Sequence, residues 1–316
     1  MTVRSFVQWW LINAAKPTLR SSSFDAYEAK IRLHILPVIG NVPLNRLTGS
    51  AIQSLYARKL EEGLSPSSVS AIHAILHRAL RQAVRGRLLS GNPADAVEVP
   101  RKQKPTPNPL ALSKIPTLLS SITDHRYESL WFLLLSTGIR FGEAAALTWD
   151  SIDLESETLT VSRSLSRSTS GGIEFAEPKS ASSRRAIPLT RSTTDVLRRQ
   201  RSRVLESRLL AGGDWREHDL VFPSRRGTPL RENHVLTSFH RELKKAGLKR
   251  RRLHDLRHTF ATRLFALGLH PRVVQELLGH ARINTTMDTY TSSVPRLLRE
   301  AAQAFDAEIK RAILAS

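Results

Sequence analysis

A cluster of four prolines interrupts the chain between residues 100 and 109. A proline inside a helix removes a backbone hydrogen bond and clashes with the preceding turn, so no regular helix can cross this stretch. We therefore expect an extended linker at residues 101–112. It separates a helical domain at residues 1–100 from a second domain at residues 113–296, and residues 297–316 follow as a carboxy-terminal helix. A chain of 316 residues is long enough for two domains of ordinary size.

The first hundred residues have the pattern of helices separated by turn signals. The expected caps and stops are Ser22 or Ser23 with Pro37 and Gly40, Thr48 with Gly63, and Pro66 at the start of a long helix. This long helix has an apolar face, formed by Val69, Ile72, Leu76, Ala79 and Ala83. Its opposite face is basic and is formed by His73, His77, Arg81 and Arg85.

The second domain begins with helices and then changes character. Helices are expected around Ile115–Ser121, from about Tyr127 to Ser136, and from about Gly142. Between Thr158 and Leu189, short β-branched or alternating runs are separated by Ser and Gly clusters, which predicts a small antiparallel sheet. The helical pattern returns from Arg191. The expected fold class is therefore mainly α with a small antiparallel β-sheet.

The charge of the chain indicates a polyanionic partner. Forty-eight Lys and Arg residues against 28 Asp and Glu residues give a formal net charge of +20. Such a surplus attracts nucleic acid, although a ribosomal protein, a membrane-surface protein or simple solubility would also fit. A motif is needed to decide among these interpretations.

The absence of cysteine excludes disulfide bonds and thiolate metal sites and fits a reducing compartment. The first residues lack the apolar core of a signal peptide. The longest apolar run, Leu130 to Leu135, is far shorter than the roughly 18 to 20 residues that span a bilayer. We expect a cytoplasmic protein that makes no membrane contact.

Three short strings in the second domain carry a specific resemblance. STGIRFGEAAAL spans Ser136 to Leu147, RLHDLRHTFATRL spans Arg252 to Leu264, and LLGHARINTTMDTY spans Leu277 to Tyr290. Their order and spacing resemble the conserved boxes of the tyrosine recombinase, or phage integrase, family: T-G-x-R-x-G-E, H-x-L-R-H-T, L-G-H, and a Tyr about ten residues after that His. The resemblance extends over most of the chain.

This resemblance implies a fold and an activity. The fold would be a SAM-like α-helical core-binding domain followed by a mixed α/β catalytic domain of the DNA breaking-rejoining type. The activity would be site-specific recombination of double-stranded DNA through a 3′-phosphotyrosyl intermediate, without cofactor, metal or ATP. A nucleoid-associated location in the cytoplasm follows from such an activity.

Breaking a phosphodiester without a metal requires a nucleophile, positive charge for the phosphorane and a proton for the leaving oxygen. Arg140 and Arg257 offer planar guanidinium groups that suit phosphate oxygens. His280 can donate a third hydrogen bond to the same phosphate. His254 can take the proton of the attacking tyrosine, because an ordinary imidazole has a pKa of about 6.5.

Tyr290 is the expected nucleophile, and no other tyrosine follows Tyr127. A phenoxide leaves more readily than an alkoxide, so the strand can be rejoined without ATP. Lys179, in EPKSASSRRAIPL, resembles the family's hairpin lysine, which protonates the leaving 5′ oxygen. The resemblance also implies that Glu143 and His258 support the site structurally.

Each of these residues has a simpler interpretation on its own. Arg140 could pair with Glu143 at the surface, and the histidines could be core residues or, with Asp255, a metal site. Lys179 could be a solvated loop charge and Tyr290 a half-buried aromatic residue. The recurrence of the whole set in one order over about 150 residues favours catalysis.

Basic residues outside the catalytic set predict contacts with the DNA backbone. Such contacts fix the position of the protein and weaken steeply with salt, but they carry no sequence information. The candidates are His73, His77, Arg81, Arg85, Lys102, Lys104, Lys244, Lys245, Arg250 and Arg251.

The resemblance also predicts an assembly. We expect a monomer in solution that forms a homotetramer on two synapsed DNA sites, with accessory DNA-bending or directionality factors as further partners. The apolar stripe of Leu298, Ala301, Phe305, Ile309 and Ala312 would dock on a neighbouring subunit, with docking in cis as the alternative. We expect no counterpart of the arm-binding domain that many phage integrases carry, which leaves open a Xer-like or Cre-like recombinase, a transposon enzyme or a shortened integrase.

Two other functions remain open at this stage. A type IB topoisomerase shares the phosphotyrosine chemistry but would relax supercoils as a monomer without site preference. A DNA-binding architectural protein with a decayed site would bind DNA and form no covalent adduct.

Overall fold

The computed structural model describes residues 1–101, 107–167, 173–176 and 184–279. These residues divide into two compact units, one within residues 1–101 and one that begins at Pro107. No helix in these described ranges has both the length and the apolar composition that a membrane span requires. The predicted positions that lie outside the described residues are Lys102, Lys104, Lys179, His280, Tyr290 and the segment 297–316.

The amino-terminal unit is built from helices joined by short turns. Its helices are α1 (Val3–Trp10), α2 (Ser21–Lys30), α3 (Leu36–Ile39), α4 (Gly49–Glu61) and α5 (Pro66–Arg85). The predicted cap at Thr48 is present, because its hydroxyl accepts a hydrogen bond from the N–H of Ala51. Pro66 occupies the first turn of α5, where its missing N–H has no helical partner to lose.

The predicted cap of α2 at Ser22 or Ser23 is wrong. The helix begins at Ser21, because the carbonyl of Arg20 accepts the N–H groups of Ser23 and Phe24, each at 2.9 Å. The helical path then continues through a wide π turn at Ile31–Ile35 into α3. It ends at Ile39, as the Pro37 and Gly40 signals predict.

The apolar face predicted for α5 is buried in the core of the amino-terminal unit. Val69, Ile72, Leu76, Ala79 and Ala83 all have 0% exposed surface. They join one cluster with Phe6 and Trp10 of α1 and with Leu55 and Tyr56 of α4. Burial of such side chains stabilises a fold by about 1.5–3 kcal/mol each for the larger ones, so this face fixes the position of the basic face opposite.

The second unit is mainly helical. Its helices are α6 (Ile115–Ile122), α7 (Glu128–Thr137), α8 (Phe141–Ala144), α9 (Arg191–Ala211), α10 (Glu232–Lys245), α11 (His254–Ala266) and α12 (Pro271–Leu278). Its strands are β1 (Ile152–Asp153), β2 (Thr158–Val161), β3 (Ser164–Arg167), β4 (Ile173–Ala176) and β5 (Arg185–Pro188). The helix predicted near Gly142 is therefore present as a single turn.

The strands form two small sheets in the described residues. One has the order β1–β2–β5 and is antiparallel, with Leu159 opposite Ile152 on one side and Ile187 on the other. The other pairs β3 with β4. The predicted antiparallel sheet between Thr158 and Leu189 is thus confirmed. β1 precedes it and is too short for a sequence pattern to reveal.

Helix α7 is the centre of the second core. Leu130, Trp131, Leu133 and Leu134 are each at most 1% exposed. The helix packs against α9 and α11. Because α11 carries three of the predicted site residues, the apolar string of α7 supplies a rigid base for the site.

Gly138 ends α7 at a point of close approach. Its φ is +66°, and a Cβ here would collide with the ring of Phe260 and lie 2.9 Å from Cδ2 of Leu278. We expect Gly138→Ala to lower the free energy of unfolding by about 2–4 kcal/mol, because backbone strain and overpacking add. Chemical denaturation measures this loss.

Gly268 provides the matched control for that prediction. Its φ is +79°, but a Cβ there would meet nothing within 4 Å. Gly268→Ala should therefore show backbone strain alone, about 1 kcal/mol. Equal losses for the two variants would contradict the packing argument.

Candidate active site

The first turn of α11 brings three predicted site residues to one face. Arg257 and His258 follow His254 by three and four residues, so their side chains project from the same side of the helix as His254. The buried carboxylate of Asp255 fixes this turn by accepting the backbone N–H of Arg252 at 2.8 Å and its guanidinium at 2.7 Å. The two imidazole rings meet edge to face, with centroids 4.8 Å apart.

Arg257 joins three elements of the second unit. The residue is 2% exposed, and its Nη1 and Nη2 donate to the carbonyls of Gly138 and Leu278, both at 2.6 Å. Burial and the nearby Arg140 lower the pKa of Arg257 to about 9, so the group still carries its charge at neutral pH. Arg257 therefore ties α11 to the ends of α7 and α12 while it supplies a buried positive charge.

Arg140 precedes α8 and is held by Glu143. The backbone N–H of Arg140 donates to Oε2 of Glu143 at 2.9 Å, and its Nη1 donates to Oε1 at 2.7 Å. The ion pair considered from sequence is thus present, but its carboxylate is buried while the Arg140 side chain is 38% exposed. One carboxylate orients a guanidinium that solvent, or a phosphate, can reach.

Arg185 is a site residue that sequence reasoning missed. From β5 its Nη2 donates to Oε2 of Glu143 at 2.9 Å, and its Nε donates to the carbonyl of Leu277 at 2.8 Å. The available signal was the alternation of β5, which puts Arg185 on the same face as the buried Ile187. An inward arginine in a strand needs a buried acceptor, and here that acceptor is Glu143.

Glu143 is the shared anion of this cluster. Burial alone would raise its pKa, but the hydrogen bond and charge of Arg185, together with Arg140, lower the pKa of Glu143 to about 2. The carboxylate is therefore ionised at any working pH. It orients two cations and partly offsets their mutual repulsion.

His254 is neutral at physiological pH. Part of the residue is exposed, yet the protein around its ring desolvates it. This burial, followed by the charges of His258, Arg257, Arg140 and Arg252, lowers the pKa of His254 to about 4. A neutral imidazole beside two guanidinium groups can accept a proton, whereas an imidazolium could not.

The pKa of His258 is also lowered, mainly by burial. Its ring packs against His254. The structure therefore brings together Arg140, Glu143, Arg185, His254, Arg257 and His258. Lys179, His280 and Tyr290 lie outside the described residues, so their placement stays a prediction.

The predicted DNA-contacting residues differ in how free their side chains are. On α5, Arg81 and Arg85 are exposed. His73 is instead hydrogen-bonded to the hydroxyl of Tyr56 at 3.0 Å, and His77 to Asp95 at 2.7 Å. The two histidines hold α5 to its own unit, which leaves the arginines as the cations that face solvent on this helix.

The basic residues near α10 show a similar division. Lys244 is exposed, whereas Lys245 pairs with the buried Glu242 at 3.0 Å. Nε of Arg250 donates to Nδ1 of His240 at 3.1 Å, and Nε of Arg251 donates to the carbonyl of Asn108 at 3.2 Å. A cavity of about 530 Å³ lies beside them, lined by Thr237, His240, Lys244, Leu248 and Arg250.

Comparison with known proteins agrees over both units. Residues 110–296 match the Phage integrase family, and residues 2–60 match the N-terminal SAM-like domain of phage integrases. A tyrosine recombinase XerC-like protein of Caldanaerobacter subterraneus subsp. tengcongensis is 26% identical, over 97% of this chain and 83% of its own length.

Two groups of solved structures share the fold. The Tn1549 transposon integrase in complex with a circular intermediate DNA superposes with a TM-score of 0.79 at 22% identity, covering 96% of this chain and 99% of that one. The lambda integrase tetramer bound to a Holliday junction gives a TM-score of 0.68 at 20% identity, covering 92% and 77%. The expected fold, a SAM-like domain followed by an integrase catalytic domain, is thereby confirmed. With a family match that spans more than half of its length, this chain belongs to the phage integrase family and is a tyrosine-type site-specific DNA recombinase.

Proposed function

We propose that this chain cuts and rejoins DNA by forming a 3′-phosphotyrosyl bond at Tyr290. The observation that carries the proposal is the pairing of two oriented guanidinium groups, Arg140 and Arg257, with the neutral imidazole of His254. Together they can hold an anionic phosphate and accept a proton beside it. Gly279 ends α12 beside the guanidinium of Arg185. His280 of the third box is the next residue in the chain.

The cleavage step exchanges one phosphodiester bond for another. The phenolic oxygen of Tyr290 attacks phosphorus, the P–O5′ bond breaks, and a P–O bond to tyrosine forms. His254 takes the phenolic proton, and Lys179 gives a proton to the departing 5′ oxygen. Arg140, Arg257 and His280 stabilise the charge that develops on the phosphate oxygens. A 5′-hydroxyl of the partner strand reverses the step, so no ATP is consumed.

A nicked suicide substrate tests this function. When cleavage releases a short fragment, rejoining is prevented and the covalent protein–DNA adduct accumulates on a denaturing gel. We expect an adduct on DNA that carries the recombination site, and exchange between two such sites when they are intact. Relaxation of supercoiled DNA with no site preference would indicate a topoisomerase instead, and no adduct on any site would indicate a binding protein.

The pH dependence of cleavage follows from the lowered pKa of His254. The base works only when neutral, so the rate is lost as pH falls through the pKa of the complex. A bound phosphate adds negative charge and raises that pKa, so we expect the midpoint above about 4 and below the ordinary value of about 6.5. Single-turnover rates between about pH 4 and 8 measure this midpoint, with the folded fraction of the protein checked at each pH.

A variant identifies the group behind that acid limb. His254→Gln should be slow at every pH and should lack the limb, because glutamine does not titrate. A midpoint at or above the ordinary imidazole value in the parent enzyme, or an unchanged limb in the variant, would contradict the assignment to His254.

We further propose that Arg81, Arg85, Lys244 and Arg250 bind phosphates of the DNA backbone. The first three are exposed cations on helices, and the fourth lies beside the cavity on α10. Replacing any one of the four with Gln should weaken DNA binding uniformly across sequences and reduce the steepness of its salt dependence by about one counterion. Residues 1–100 and 113–296 would then act as core-binding and catalytic domains joined by the 101–112 linker.

We propose a monomer in solution and a homotetramer on two synapsed sites. The lambda integrase neighbour is a tetramer bound to a Holliday junction, which supports this assembly by analogy. Accessory DNA-bending or directionality factors are further partners, and the nucleoid is the proposed place of action because the substrate lies there.

The carboxy-terminal segment gives this assembly a direct test. A chain that ends before Leu297 loses the apolar stripe at residues 298–312 that would dock on the neighbouring subunit. We expect it to bind one DNA site with normal affinity and to fail in recombination, measured by gel shift and by product formation. Recombination at the normal rate would refute docking in trans.

A further inference from the structure

Arg185 lies at the junction of three segments that the proposed chemistry needs. We propose that Arg185 is a positioning residue that sets the relative placement of Arg140, of the loop that carries Lys179 and of the segment that carries His280. The inference rests on the proposed function of this site. Its basis is a set of contacts between described residues, none of which involves substrate.

The first contact leads to Arg140. Glu143 divides its two oxygens between two arginines: Oε1 accepts Nη1 of Arg140 at 2.7 Å, and Oε2 accepts Nη2 of Arg185 at 2.9 Å. Nη1 of Arg185 also reaches Oε1 at 3.4 Å. Because Arg185 binds the same carboxylate that orients Arg140, it limits where Glu143 can place Arg140.

The second contact leads to the end of α12. Nε of Arg185 donates to the carbonyl of Leu277 at 2.8 Å, one residue before the carbonyl that Arg257 binds. Gly279 packs directly on the guanidinium, since a Cβ there would lie 2.8 Å from Nη1 of Arg185. His280 is the next residue in the chain. Arg185 therefore contacts the backbone directly before His280.

The third contact leads to the loop of Lys179. Arg185 is the first residue of β5, where it pairs with Val161 of β2. It lies six positions after Lys179 in the chain. The other end of that loop is also held, because Phe175 in β4 lies against the guanidinium of Arg163 at 5.1 Å. The backbone that leaves the loop is thus anchored by the same side chain that anchors Glu143.

The contacts of Arg185 indicate that it acts through these neighbours. Its side chain is 6% exposed, and its described donors point at protein oxygens rather than at solvent. Arg140, by contrast, is 38% exposed. Arg140 is therefore the more accessible of the two arginines that bind Glu143.

The test compares Arg185→Gln and Arg185→Lys with the control Arg126→Gln. Arg126 is an exposed arginine of the same unit that donates to the carbonyl of Pro223 at 3.3 Å, away from the site. Each variant is assayed below its own melting temperature for DNA affinity and for single-turnover adduct formation. Parent enzyme is run beside them, because a parent that forms no adduct refutes the proposed function rather than this inference.

We expect Arg185→Gln to form the adduct about 100-fold more slowly with unchanged DNA affinity, as for a displaced reacting group. Arg185→Lys keeps the charge with fewer donors and should remain at least about tenfold slow. If Arg185→Gln does not fold, Arg185→Lys carries the comparison. Normal rates in folded variants, or an equal loss in Arg126→Gln, would overturn the inference.

Two further readouts separate positioning from stability. The losses of cleavage rate in Arg185→Gln and Glu143→Gln should not add in the double variant, since both substitutions break the same contact path from Arg185 through Glu143 to Arg140. Additive losses would overturn the proposal that Arg185 acts on Arg140 through Glu143. In a substrate with a 5′-bridging sulfur, the leaving group is a thiolate that needs no proton from Lys179. If the Lys179 loop has shifted in Arg185→Gln, the difference in cleavage rate between this variant and the parent should be about tenfold smaller on the sulfur substrate. An unchanged defect on the sulfur substrate would overturn the link to Lys179.

Discussion

Tyr290→Phe is expected to abolish the covalent adduct and to leave DNA affinity unchanged. The substitution removes one oxygen atom, the proposed nucleophile, and keeps the ring. Tyr290 is the only tyrosine after Tyr127, so no tyrosine near it in the sequence can replace it as the nucleophile. Adduct formation on the suicide substrate should fall below detection, while a gel shift with the same DNA should be normal.

Tyr127→Phe is the matched control, because it removes a phenolic hydroxyl from the same unit. Tyr127 packs at the start of α7 beside Trp131, with ring centroids 5.8 Å apart. We expect full cleavage activity from this variant. Adduct formation by Tyr290→Phe at the parent rate would refute the assignment of the nucleophile.

Arg257→Gln is expected to slow cleavage by about 10³-fold, equivalent to about 4 kcal/mol of transition-state stabilisation. The variant loses the positive charge of Arg257. Because this side chain is buried, with 2% of the residue exposed, a cation at the surface cannot take its place. The substitution also leaves the carbonyls of Gly138 and Leu278 without their donors, so the free energy of unfolding should fall by about 2–4 kcal/mol.

Single-turnover cleavage and chemical denaturation together separate these two effects. Arg263→Gln on the same helix provides the control, since Arg263 is half-buried in the last turn of α11, away from both carbonyls. That variant should cleave normally. If Arg257→Gln loses stability but cleaves at the parent rate once folded, Arg257 is a structural residue only.

The three boxes were identified by their resemblance to the family motifs, and the geometry within a box was predictable because its residues lie close together in sequence. His254, Arg257 and His258 fall within five residues, and helical spacing alone puts them on one face. The apolar face of α5 and the cap at Thr48 were predictable for the same reason. Local pattern and local chemistry determine each of these features.

The arrangement around Glu143 depends on contacts that no local pattern contains. Arg185 reaches it across 42 positions of the chain, and Arg257 reaches Gly138 across 119. The sequence suggested one surface ion pair between Arg140 and Glu143, whereas folding buries that carboxylate beneath two cations. On the basic face of α5, the helical pattern likewise does not show that Tyr56 and Asp95 bind the two histidines.

The cluster also places more positive than negative charge in one buried region. Arg185 and Arg140 bind the carboxylate of Glu143, and Arg257 lies near it. Burial and then the neighbouring positive charges lower the pKa of Arg257 and of His254. Such an arrangement costs stability in the free protein and is relieved when an anion binds. A DNA phosphate at this point would supply the missing negative charge.

Mapping the covalent bond identifies the nucleophile of this enzyme. The adduct formed on a suicide substrate is digested with protease and nuclease, and the modified peptide is sequenced by mass spectrometry. We predict a nucleotide joined through its 3′-phosphate to Tyr290. A nucleotide on any other side chain, or a linkage through a 5′-phosphate, would contradict the proposed mechanism.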